Sequence, residues 1–204
     1  MGAIVEAGYR LRWLVPVNHW SPLLGLLGIV ICVLLWRPLV ALTHWRSQPT
    51  LLALVSGVAA LTLTLAPKGW DGNHRTLAQC VPADWSEFGE RVSHVGSGVE
   101  SWLNIAMLVP LGFGLMMATR RVVWPSLFVV LLPVAIELTQ VVVPGRECSV
   151  SDWIANASGG LVGVAVGAVW NRRLRARAPV PAACPEPGVG IRNPTTTADR
   201  KSVE

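Results

Sequence analysis

Five apolar blocks constrain this chain more than anything else in it: about Trp20–Trp36, Thr50–Ala66, Val99–Ala118, Val122–Val143 and Trp153–Trp170. Each approaches the roughly 17–25 residues that carry a helix across hydrocarbon. Inside a bilayer a lone segment must satisfy its own backbone N–H and C=O groups, so such blocks become helices. Only 14% of the residues are charged, and six of the ten tryptophans (Trp20, Trp36, Trp102, Trp124, Trp153 and Trp170) fall at block edges. Indole rings favour that headgroup zone. The expectation is an all-α integral membrane protein: a bundle of about five transmembrane helices with an extracytoplasmic loop and a disordered C-terminal tail.

The net charge of +5 does not indicate nucleic acid, because the basic residues sit in short loops and after the last block. Arg37 and Arg46 follow block one, Arg120 and Arg121 follow block three, and Arg172, Arg173, Arg175 and Arg177 follow block five. With five spans all three groups share one side. Positive loops favour the cytoplasm, which places the C-terminus inside and the N-terminus outside, with Arg10 and Arg12 running against the rule. Residues 1–98 then form an N-terminal region with two spans and an outer loop, 99–176 a three-helix core, and 177–204 a proline-containing polar tail expected to be disordered. Cys80 and Cys148 both fall outside, where an oxidising medium permits a disulfide. Gly159, Gly163 and Gly167 leave one face of block five bare. Either another helix of this chain or a second copy of it, in a homo-oligomer, can pack there.

Polar residues are few inside the blocks, and they gather by depth. Asn104 lies near the outer end of block three, Glu137 and Gln140 near that of block four, and Asp152 and Asn156 start block five, with Arg146 in the turn between. Glu137 and Gln140 are three apart and Asp152 and Asn156 four apart, so each pair shares a helix face. Charged groups at such depths need partners, and Arg146 is the expected partner for one carboxylate. Part of the set has a plainer use: Ser149-x-x-Asp152 has the form of a capping box, and the amides of Asn104 and Asn156 can bond between helices.

These residues carry a resemblance. Asn104-Ile105-Ala106-Met107-Leu108-Val109-Pro110-Leu111-Gly112, then Glu137-Leu138-Thr139-Gln140, then Pro144-Gly145-Arg146, then Asp152-x-x-x-Asn156-x-x-Gly159 resemble the VanZ-like family over about Trp102–Trp170. Glu147-Cys148 stands where that family usually has an apolar residue after the Pro-Gly-Arg turn. The resemblance implies a small multi-pass protein of the bacterial cell membrane. The family's namesake is associated with teicoplanin resistance, and the family's biochemical activity is generally unassigned.

Two functions compete. In the first, Asn104, Glu137, Gln140, Arg146, Asp152 and Asn156 form an outward-facing polar pocket for a lipid-anchored or amphiphilic ligand of the cell envelope, such as a glycopeptide or a cell-wall precursor. Arg146 would then meet an anionic headgroup through its donor fork. In the second, a membrane enzyme acts on a lipid-linked phosphate or ester with Glu137 or Asp152 as general base. That reading lacks a nucleophile with a visible base. No cofactor and no metal site is expected, since two carboxylates do not make a ligand motif. A transporter is a third class, disfavoured by the lack of an internal repeat.

Overall fold

The computed structural model describes residues 20–67, 80–146 and 148–177. Every regular element among them is a helix: α1 (Trp20–Thr43), α2 (Ser47–Leu65), α3 (Trp85–Ser93), α4 (Val99–Thr119), α5 (Val123–Gln140) and α6 (Val150–Arg177). All but α3 are long and apolar enough to cross a membrane. The expected tail lies outside the described residues except for Arg177, which ends α6.

The helices overrun or shift the apolar blocks. α1 continues through Arg37 and Pro38, and α6 begins before Trp153 and runs past Trp170 into the arginines. Hydropathy marks where lipid is, whereas a helix ends where its backbone bonds end. The short α3 is an element that the hydropathy of the outer loop does not reveal. Asp84 accepts from the Glu87 N–H and Glu87 accepts from the Ala83 N–H, so the segment is capped locally. The Ala83 N–H bond, and after it the Arg91 side chain, hold the Glu87 carboxyl below the ordinary carboxylate range.

α4 is the centre of the bundle, packed against α6 along one side and α2 along the other. Glycine makes both contacts close. A Cβ on Gly159 would overlap the Ile105 carbonyl, one on Gly163 the Val109 carbonyl, and one on Gly112 the Gly160 carbonyl. On the opposite face of α4, a Cβ on Gly114 would stand 2.9 Å from the Ala53 nitrogen. Lipid supplies no hydrophobic force between helices, so this backbone-to-backbone approach is what contact energy they have. The pairs advance together along both chains, and α4 and α6 are therefore parallel. Buried Ala53, Ala60, Leu108 and Leu111 fill the α2–α4 seam, while Met116, Val129 and Val164 join α4, α5 and α6. The small-residue face of α6 is thus occupied within the chain.

The three arginine clusters, Arg37 with Arg46, Arg120 with Arg121, and the run from Arg172 to Arg177, meet at one end. Arg46 N–H lies 3.4 Å from the Ala118 carbonyl, Trp36 Nε1 donates to Ser47 O at 3.1 Å, and the parallel register brings Arg120 level with Asn171. The other end holds α3, the start of α4 and α6, and the end of α5.

The neighbours of Gly159 and Gly163 are backbone and cannot rotate away. Gly159→Ala or Gly163→Ala is expected to lower stability by about 1–3 kcal/mol, the usual range for overpacking. Gly89→Ala, inside α3 with nothing within 4 Å of its Cβ position, is expected to be neutral or stabilising by up to about 1 kcal/mol. Thermal unfolding of the purified variants in detergent checks both.

Candidate functional site

The last carbonyls of α2 have no partner in their own helix, which is the general condition of helix C-termini and is severe in a membrane. Two side chains from 76 to 83 residues later meet them. Gln140 Nε2 donates to Thr64 O at 3.0 Å, Arg146 Nε to Ala66 O at 2.8 Å, and Arg146 NH2 to Leu63 O at 2.6 Å. The Pro-Gly-Arg turn aims the arginine. Pro144 and Gly145 occupy the middle of a turn closed by Arg146 N–H to Val143 O, and Gly145 has φ +70°. That is the pattern of a type II turn, with proline first and a left-handed glycine second. Burial pushes the Arg146 guanidinium down from its ordinary value. An arginine starts so high that it remains charged, which suits a helix C-terminus.

Glu137 does a matching task at the start of α6. Its Oε2 accepts the Ser149 N–H at 2.7 Å, while Ser149 O accepts from Trp153 N–H as the first turn of α6 begins. In a capping box that Ser149 N–H would belong to Asp152; here a carboxylate from α5 takes it. The Ser149 hydroxyl bonds the Ser151 hydroxyl at 2.6 Å. Trp153 Nε1 donates to Val130 O at 3.2 Å, in the turn before Pro133.

Between these fastenings lies a cavity of about 250 Å³. It is lined by Val134, Glu137 and Leu138 of α5, by Val150 and Trp153 of α6, and by Cys80, Val81, Cys148 and Ser149. Cys80 and Cys148 are joined as a disulfide, with Cα atoms 5.5 Å apart across a separation of 68 residues. The wall is almost wholly apolar.

The six polar residues singled out in the sequence therefore take separate places. Only Glu137 lines the cavity. Gln140 and Arg146 cap α2, and Arg146 meets carbonyl oxygens where the sequence reading pairs it with a carboxylate. Asp152 is half-buried in the first turn of α6, within electrostatic range of Glu137. Asn156 is 2% exposed on the face of α6 that bears the glycines, and Asn104 is half-buried on α4. Asn156 Oδ1 and Gln140 Oε1 are buried acceptors with no donor among the described residues. No group of three His, Cys, Asp or Glu among the described residues could hold a metal ion. Sequence reasoning missed Val134, Leu138, Val150 and Trp153 as a wall, because apolar residues in an apolar block carry no signal of their own.

Removing the caps should separate charge from geometry. Arg146→Ala strands the Leu63 and Ala66 carbonyls and is expected to cost about 1–3 kcal/mol for each. Glu137→Ala strands the Ser149 N–H, whereas Glu137→Gln keeps an acceptor there and should lose distinctly less. Unfolding in detergent gives the ranking, and an Arg146→Ala protein as stable as the parent would contradict it.

The family model VanZ/LLP1 matches residues 30–171. The likeness thus begins inside α1 and takes in α2 and the outer loop, well ahead of the Trp102–Trp170 stretch that the motifs mark and across the expected boundary at 98. No curated protein and no solved structure matches the chain. The matched span covers more than two thirds of the chain and contains the four motifs, the α2 caps and the cavity, so the chain belongs to the VanZ/LLP1 family of membrane proteins.

Proposed function

We propose that this protein binds an amphiphilic ligand of the cell envelope by taking its hydrocarbon chain into the cleft between the end of α5 and the start of α6. The observation that carries the reading is the cleft itself, apolar in its walls and held open by polar bonds around it. Its volume of about 250 Å³ falls just below the roughly 300 Å³ at which pockets for drug-sized molecules begin. A hydrocarbon chain suits that space, whereas the peptide core of a glycopeptide would have to remain outside it. Arg146 has Nε and one terminal nitrogen committed to α2, so the ligand's headgroup is not held by that fork.

In this reading the arginine end faces the cytoplasm of a bacterial cell and the cleft faces outward. The charge distribution supports that orientation, and so does a disulfide at the cleft end. The link to glycopeptide resistance comes from the family's namesake and belongs to the same proposal. Hydrolytic chemistry has less behind it. Glu137 engages the Ser149 main chain and leaves its hydroxyl to Ser151, so no base–nucleophile bond is made.

A fatty acid with a photoreactive diazirine on its chain, added to vesicles containing the protein, tests the reading. Adducts are expected to concentrate on Val134, Leu138 and Trp153 over the lipid-facing Leu26 and Leu34 of α1. Val134→Trp should abolish the cleft adducts and leave those on α1 unchanged. Equal labelling of the two regions, insensitive to that substitution, would remove the proposal.

A further inference from the structure

Charge is segregated along the bundle axis. All the described carboxylates, Asp84, Glu87, Glu90, Glu100, Glu137 and Asp152, lie toward the cleft end. The two described arginines at that end are engaged, Arg91 with Glu87 and Arg146 with the carbonyls of α2. Every other described arginine is exposed at the opposite end: Arg37, Arg46, Arg120, Arg121 and the run Arg172, Arg173, Arg175 and Arg177. None of these has a carboxylate partner among the described residues.

The helix that carries the run is too long for the bilayer. α6 has 28 residues, about 42 Å at roughly 1.5 Å each, against a hydrocarbon core of about 30 Å. Its last two turns therefore stand at headgroup level. There Arg172 and Arg175 are three apart and Arg173 and Arg177 four apart, so each pair shares a face. Like charges at those spacings repel and oppose the helix, and only the negative end of the helix dipole favours them. An anion between each pair removes the repulsion. Two guanidinium forks also match the oxygens of a phosphate. Trp170 and Leu174, 51% and 42% exposed, add an apolar ridge one turn apart beside Arg173 and Arg177. A soluble phosphate has no use for that ridge; a lipid does.

We propose that the final turns of α6, with Arg120 and Arg121 beside them, form a binding site for anionic phospholipid headgroups. The site is at the opposite end from the cleft and holds whichever way the protein is oriented. The test uses the full chain in phosphatidylcholine vesicles containing a trace of spin-labelled phosphatidylglycerol or, in parallel, spin-labelled phosphatidylcholine. At about 0.1 M salt the anionic lipid should be immobilised at the protein in preference to the zwitterionic one by about fivefold or more. The preference should fall toward unity near about 1 M, as the screening length drops from about 10 to about 3 Å. That salt series needs no substitution. Replacing Arg172, Arg173, Arg175 and Arg177 together by Gln should reduce the preference sharply, whereas Arg91→Gln at the other end should leave it intact. Equal immobilisation of the two lipids at low salt, or full preference in the fourfold variant, overturns the proposal.

Discussion

The carbonyls that end α2 organise the half of the molecule that bears the cleft. In water the end of a helix is a minor matter, since solvent takes the free acceptors. Here the end is partly buried, with Thr64 and Ala66 at 8% and 0% exposure, and donors must come from the protein. Gln140 supplies one from the last residue of α5, and Arg146 supplies two from the turn that follows. Those bonds pin the end of α5 and the start of the α5–α6 turn to α2. Cys148, Ser149 and the first turn of α6 are thereby held where the cleft needs them.

Two kinds of contact divide the labour. Toward the middle and the arginine end, the bundle relies on backbone approach at Gly112, Gly114, Gly159 and Gly163, where shape alone decides. Toward the cleft end it relies on hydrogen bonds made by Arg146 and Glu137, which are directional and tie named atoms together. Close packing of glycine leaves no space, whereas polar fastenings hold helices apart at fixed distances. A cavity is accordingly found among the second kind, beneath Glu137 and Trp153.

The number of spans and the gathering of the three arginine clusters at one end are legible in the sequence, because both rest on composition over long windows. The glycine face of α6 is legible too, since a bare face at every fourth residue has one physical use. What packs there is not, and the answer is Ile105 and Val109 of the same chain. Arg146 shows the deeper limit. Its sequence neighbours announce a turn and a charge, and a carboxylate is the natural partner to expect for a charge near lipid. The actual partners are carbonyl oxygens of Leu63 and Ala66, which every residue possesses and no sequence can advertise. The same fact accounts for a family likeness that reaches back to residue 30 where no polar motif stands. The α2 half of the interaction is made by main chain and by small residues such as Ala53 and Ala60.

Glu137 connects the cleft to the scaffold. A carboxylate that served only a ligand would be free to lose its backbone bond, and one that served only α6 would have no reason to border a cavity. Glu137 does both: Oε2 holds Ser149, and the same residue lines the cleft with Val134 about one turn before it and Leu138 directly after it. On the proposed reading, an occupant of the cleft would touch Glu137 and Ser149, the residues that fix the start of α6. Occupancy and the stability of the α5–α6 junction are then linked, since a ligand that binds only the folded arrangement stabilises it by mass action. On that reading the linkage would run through the polar bonds at Glu137 and Ser149 and not through the glycine seam between α4 and α6.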